Sequence, residues 1–297
     1  MSIIYLSAAG GASLCWAIGA MVAHRPATLL GAFEFTRTQL ISSSAVLLCL
    51  VTALDDWRSV TWEHWASFTV ASLVGVVLTN LAMVSCLRRG GPRRTQLLVA
   101  MNAPIAAILG YGFLGEVMST QKFYGAALAF AGLLLAILFG RRTEESRLEV
   151  LQGSLAVVVV LGLVAATCKA VGLIALKPAL LAGTSPLAAS ALRTGGAALV
   201  LSVIALWPAE VFDPLTKRTP GLVIHAIVPG FLGYVAAVSL QLYALQGYDT
   251  GIVAVLSSAA PVFILPLQWV TTHVRPPTPA WFGAGLTLVG TGLILYG

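Results

Sequence analysis

The chain has 297 residues, of which 58% are hydrophobic and only 9% charged, and its mean hydropathy is +0.92. A water-soluble domain carries about 25% charged residues, so this composition excludes a soluble fold, and its apolar bias excludes disorder. The net charge of +6 falls in short clusters between apolar runs, which marks orientation at a membrane surface and not a nucleic-acid partner.

A bilayer core of about 30 Å takes roughly 20 apolar residues as a helix. Cutting at charges, proline clusters and glycine-rich turns gives ten such runs, at 3–23, 32–54, 64–87, 94–114, 120–140, 151–176, 184–207, 219–244, 249–272 and 278–297. They are too long for barrel strands and do not alternate, so an all-α integral membrane fold is predicted. The first run lacks a positively charged leader and reads as a retained span; it carries Cys15 and Trp16. The second holds Glu34 and Arg37, three apart on one helix face and so placed to pair. The third holds Asn80 and the fourth Asn102, and Glu116 follows the fourth. The fifth presents Gly125, Ala129 and Gly132 at helical spacing, a close-packing face.

The polar segment Arg141-Arg142-Thr143-Glu144-Glu145-Ser146-Arg147 then divides the chain. Residues 1–140 form a first five-helix unit, 141–150 a linker and 151–297 a second unit. The sixth run carries Cys168 and Lys169, the seventh Arg193, and the eighth Tyr234, Ser239, Gln241 and Tyr243. Asp249 opens the ninth as its expected N-terminal cap, and Ser257 and Ser258 lie further along. The tenth repeats the small-residue face with Gly283, Thr287 and Gly290. The four cysteines sit singly in apolar runs and form no metal or disulfide pattern.

The two units are copies. Phe123-Tyr124-Gly125-Ala126-Ala127-Leu128 matches Trp281-Phe282-Gly283-Ala284-Gly285-Leu286, and Pro104 corresponds to Pro261. Cys15-Trp16-Ala17-Ile18-Gly19 followed by Arg25-Pro26-Ala27 matches Cys168-Lys169-Ala170-Val171-Gly172 followed by Lys177-Pro178-Ala179. Arg37 matches Arg193. Because each copy has an odd number of helices, the second enters the membrane from the opposite side. The halves are then inverted repeats about an axis in the membrane plane, the architecture of alternating access around a midplane site.

Asn102-Ala103-Pro104, then Phe113-Leu114-Gly115-Glu116, then Tyr124-Gly125, resembles the helix 4–5 signature of EamA-type members of the drug/metabolite transporter superfamily. Pro186 followed by Arg193 resembles that family's helix 7 start. The second half departs from the pattern, with Thr272-His273 where L-G-E would recur. The resemblance spans the whole chain. It implies a small-molecule transporter of a bacterial inner (plasma) membrane, often an exporter of amino acids or other metabolites.

Charge at membrane depth costs about 2.5–3.5 kcal/mol on insertion scales. Three basic residues lie within the runs: Arg37, Lys169 and Arg193. Lys169 is the deepest and is predicted to bind the anionic group of a substrate in a central cavity. Trp16, Asn80, Asn102, Tyr234, Gln241 and Ser257 are the further candidate binding residues, by stacking or hydrogen bonding. Arg37, Arg193 and Glu34 are the candidate gating residues. No H-E-x-x-H, G-x-S-x-G or P-loop occurs, so no enzyme, metal or cofactor is expected. The expected partners are a small-molecule substrate and the lipid bilayer, with a monomer or weak homodimer as the assembly. An amino acid is the first substrate expected. A proton-coupled exporter of drugs or cationic compounds and an exchanger of phosphorylated metabolites are the alternatives. Eleven loop cations lie on one side (Arg25, Arg88, Arg89, Arg93, Arg94, Arg141, Arg142, Arg147, Lys217, Arg218 and Arg275) and three on the other (Arg58, Lys122 and Lys177). That bias puts the termini outside the cytoplasm, whereas the resemblance implies the reverse.

Overall fold

A computed structural model describes residues 2–139, 154–207, 216, 219–272 and 277–296. The linker expected at 141–150 lies outside them. The described chain is helical throughout its spans. We number them α1 (Ser2–Leu30), α2 (Ala32–Ala53), α3 (Trp62–Cys86), α4 (Leu97–Leu114), α5 (Thr120–Phe139), α6 (Leu155–Leu181), α7 (Pro186–Ile204), α8 (Pro220–Leu245), α9 (Thr250–Ser257 with Ala260–Thr272) and α10 (Thr278–Tyr296). The first nine meet the length and hydropathy needed to cross a bilayer, and α10, with 19 residues, lies along α5.

Two boundaries differ from those read in the sequence. Both α1 and α6 continue through their Arg25-Pro26 and Lys177-Pro178 pairs, ending at Leu30 and Leu181. Lys177 is therefore not a loop residue; it is buried in α6. Between α3 and α4, helical turns extend from Thr79 to Ala100. Yet Thr95 Oγ1 lies 3.4 Å from Cys86 Sγ, nine residues back. In a straight helix they would be about 13 Å apart, so the chain doubles back where the arginine-rich link was predicted.

The halves interlock as an inverted repeat requires. Helix α1 packs on α8 and α9, and its counterpart α6 packs on α3 and α4; α2 meets α7, and α5 meets α10. The α5–α10 seam is closed by the predicted small residues. A Cβ on Gly125 would stand 2.9 Å from Gly290 O, and one on Gly132 would stand 2.5 Å from Gly283 O. Leu47, Leu173, Leu176, Leu242 and Ile252 form part of the continuous interior. Leu199, Leu206, Phe113, Phe282 and Leu288 remain exposed, as befits a surface solvated by lipid. Trp62, Trp65 and Trp207 are exposed at span ends, the depth at which tryptophans form an interfacial belt.

Two kinds of helix irregularity recur in both halves. Wide π-turns interrupt α3 at Leu73–Leu78 and α8 at Phe231–Ala237. Breaks interrupt α4 after Ala100, at Met101, and α9 after Ser257, at Ser258 and Ala259. The repeat makes Pro104 and Pro261 equivalent, and each lies just beyond its break. Proline removes a helical donor, which explains why both copies yield at this point.

Candidate functional site

The two broken helices touch at their breaks. Asn102 Nδ2 donates to Val99 O at 2.7 Å and to Ser258 Oγ at 3.2 Å. Ser13 Oγ on α1 donates to Leu256 O. Side chains thus add bonds to carbonyls at the two breaks, where Leu256 O also accepts from Ala259 N at 3.2 Å. Asn102 Oδ1 and Ser257 Oγ are buried beside this crossing and have no hydrogen-bond partner among the described residues.

Beside the π-turns lies a polar cluster drawn from both halves. On α6, Val160, Leu163, Val164 and Thr167 face outward. At about 100° per residue, Lys169 points roughly 180° from Val160. Lys169 is nevertheless only half-buried, so its remaining exposure is to a space inside the protein. Arg193 on α7 is 8% exposed. Its Nη2 reaches Gly75 O in the α3 π-turn at a long 3.5 Å, and among the described residues its Nε and Nη1 have no acceptor. Lys169 lies one turn before Gly172, which packs on Gly75, and Gly75 O is the carbonyl that Arg193 reaches, so the two cations share one region between α3, α6 and α7.

Tyr234 projects from the α8 π-turn and donates to Asn80 Oδ1 at 3.5 Å. Asn80 Nδ2 in turn donates to Val76 O at 2.8 Å, a carbonyl of the opposite π-turn. The Tyr234 ring meets Trp16 edge-on, with centroids 6.1 Å apart. Trp16 is the repeat counterpart of Lys169, so one half supplies an aromatic side chain at the position where the other supplies a cation. Ser239 Oγ donates to Ser190 Oγ at 3.1 Å behind it. Gln241 is buried on α8 two turns beyond Tyr234. Of the candidate binding residues, the structure brings Lys169, Trp16, Asn80 and Tyr234 together. Asn102 and Ser257 belong to the helix crossing.

The repeat-related arginines differ in surroundings. Arg37 pairs with Glu34 at 2.9 Å, and Thr38 also donates to Glu34 at 3.4 Å. Arg193 has Ser190 where Arg37 has Glu34, and among the described residues it has no acidic partner. It joins Lys169.

A second polar cluster ties the halves together at one membrane face. Gly115, with φ of 64°, takes the left-handed turn that ends α4 and directs Glu116 across to the other half. Glu116 accepts from Lys177 Nζ, from Thr250 N at 2.7 Å and from Thr250 Oγ1 at 2.7 Å. Lys177 also donates to Tyr248 O at 2.9 Å. Side-chain exposure is 9% for Lys177 and 7% for Glu116. Sequence reading missed this pair because Lys177 looked like a loop cation; the L-G-E turn and the lysine-proline pair were its only signals.

The same cluster corrects the expectation for Asp249. Its backbone occupies the cap position of α9, but its side chain makes no capping bond; Glu116, from the other half, binds the Thr250 N–H instead. Asp249 is pushed above the ordinary carboxylic value by burial and by the neighbouring Glu116, partly offset by Lys177 and Lys122. A folded value above the unfolded one means that the folded state holds the proton more tightly. Stability from this group is therefore present below the unfolded value of 3.8 and is lost as pH rises through the raised value. Asp249→Asn should melt higher than wild type at neutral pH, with the gap closing towards about pH 4. A gap that stays constant across pH would contradict this.

Two interlocked five-helix halves, each with a broken helix and a π-turn beside a shared polar site, define an inverted-repeat membrane transporter. Residues 3–138 and 156–296 each match the model of the EamA-like transporter family, and the chain belongs to that family, within the drug/metabolite transporter superfamily. A solved structure described only as a crystal structure of a protein is similar over 97% of this chain and 95% of its own, with a TM-score of 0.78 at 17% identity. That likeness concerns the fold. No curated protein matches the chain.

Proposed function

We propose that the chain is a secondary transporter that carries a small acid-bearing metabolite across a bacterial inner membrane, exporting it by alternating access. Amino acids, the first expectation from the sequence, carry such a group on a zwitterion, whereas organic acids and phosphate esters carry it alone. The observation that carries this reading is the polar cluster of Lys169, Arg193, Tyr234, Asn80 and Trp16, supplied by both halves next to the crossing of two discontinuous helices. Substrate sites of inverted-repeat transporters form at such breaks. The units 1–140 and 151–297, joined by 141–150, rock about the Asn102–Ser258 contact and expose the cluster to each side in turn. Lys169 and Arg193 bind the acid group. The Glu34–Arg37 pair gates one mouth. A cationic substrate has less support, because Glu34 and Glu116 are both engaged with basic partners.

The test is flux of a panel of amino acids and other organic acids in proteoliposomes, with wild type, Lys169→Ala and Arg37→Ala. A charge-assisted hydrogen bond contributes about 1.5–3 kcal/mol. Loss of Lys169 should therefore cut kcat/KM by about 10- to 100-fold. Arg37→Ala should change rate more than apparent affinity. Undiminished flux in Lys169→Ala would remove the lysine from the site, and chemical change of the substrate would remove the transporter reading.

A further inference from the structure

The charge balance of the central site narrows what it accepts. Lys169 and Arg193 bring two positive charges into the membrane interior, and among the described residues neither has an acidic partner. Arg193 is more than nine-tenths buried, with donors at Nε and Nη1 that meet no acceptor. Leaving a charged group unmatched in a low-dielectric interior is costly, and like charges held in one region repel each other as well. A structural arginine in such a place is normally satisfied by carbonyls or a carboxylate. Here, among the described residues, the carbonyl of Gly75 at 3.5 Å is the one acceptor.

We propose that the substrate is a small organic dianion, a phosphate monoester or a dicarboxylate, held between Arg193 and Lys169. The inference rests on the transporter reading for the word substrate. The guanidinium's planar fork matches two oxygens of a carboxylate or phosphate, and the ammonium supplies a compact second charge. A monoanion neutralises one cation and leaves the other exposed to its neighbour. A zwitterion brings an ammonium to a site that already has two cations and no free carboxylate among the described residues. Tyr234 and Asn80 lie at the margin as neutral hydrogen-bonding groups, and Trp16 packs edge-on against Tyr234 as an apolar surface. Every feature of the cluster therefore favours negative charge with a short carbon frame.

The experiment is binding to the purified full chain in detergent, by calorimetry and thermal shift, with phenyl phosphate, succinate, acetate and alanine. At least one dianion should bind at least about tenfold more tightly than acetate, the step that one retained charge pairing of 1.4 kcal/mol gives, and alanine should not saturate. The phosphate and dicarboxylate arms identify which dianion is preferred. Lys169→Gln and Arg193→Gln should each weaken that binding by about tenfold or more, and Lys169→Arg should restore part of it. Arg193→Met keeps the test informative if polar variants fold poorly. Removing an unmatched buried cation should raise the melting temperature while abolishing dianion binding, whereas a structural arginine would give the opposite shift. Alanine binding more tightly than both dianions, no saturable dianion binding, or dianion binding unchanged in both glutamine variants would overturn the proposal. The two readings fail separately. Dianion binding without flux in proteoliposomes would sink the transporter reading and leave the site, and saturable flux confined to zwitterions would do the reverse.

Discussion

Glu116→Ala is expected to destabilise the protein by about 3–5 kcal/mol, the range for stripping one partner from a buried ion pair. Its carboxylate neutralises Lys177 and also accepts the backbone N–H and hydroxyl of Thr250. Alanine leaves a buried ammonium whose remaining hydrogen bond among the described residues is to Tyr248 O at 2.9 Å, with Asp249 as the neighbouring carboxyl group, and leaves the start of α9 uncapped. Glu116→Gln should fall between, since an amide oxygen still accepts from Thr250 but carries no charge. The double replacement Glu116→Met with Lys177→Met should be milder than Glu116→Ala, because the cost lies in the uncompensated charge and not in the loss of the pair itself. Thermal unfolding in detergent measures all three. Equal melting temperatures for wild type and Glu116→Ala would mean that the pair does not join the halves.

Gly172→Ala is the second large effect, and it reaches transport through geometry. Gly75 and Gly172 meet backbone to backbone: a Cβ on Gly75 would stand 2.7 Å from Gly172 Cα. No flexible side chain is there to yield, so even one methyl group must push α3 from α6. Overpacking of this kind costs about 1–3 kcal/mol. The functional loss should exceed that figure. Lys169 lies one turn before Gly172, and Gly75 O is the acceptor for Arg193, so the separation displaces both cations and the π-turn together. Flux and dianion binding should fall by more than tenfold, about 1.4 kcal/mol, in Gly75→Ala and in Gly172→Ala. Gly292→Ala is the control, since a Cβ there meets nothing within 4 Å, and it should behave as wild type. Full activity in Gly172→Ala would show that the helices part without disturbing the site.

The helices, the duplication and its inversion were legible in the sequence because each rests on a run of many residues. Apolar length sets a span, and an odd number of spans sets the direction of the second copy. The seam between α5 and α10 was legible for a similar reason, as small residues at helical spacing leave one packing solution. The site was legible only in part. Lys169 stood out by depth, but its repeat mate is Trp16, so internal similarity gave no hint that a second cation would join it. Arg193 does so because Ser190 replaces the acid that neutralises Arg37, a difference visible in the residues yet meaningful only once α7 is seen against α3. The π-turns and the contact between the two breaks had no local signature beyond Pro104 and Pro261. The capping of α9 by Glu116 depends on a contact 134 positions apart in the chain, and no local rule reaches that far.

On the alternating-access reading proposed above, the Glu116–Lys177 tie would also set the balance between the two conformations of the cycle. A protein built from identical inverted halves would spend equal time open to either side, with an equilibrium constant of one. Here the repeat puts Thr272 and His273 where the second glutamate would stand, so one face closes with this ion pair and the other lacks the glutamate for its counterpart. Each 1.4 kcal/mol of difference between the two closures shifts the resting population about tenfold. On that reading an empty protein would wait with Lys169 and Arg193 turned towards one compartment, and the ligand met there would start the cycle.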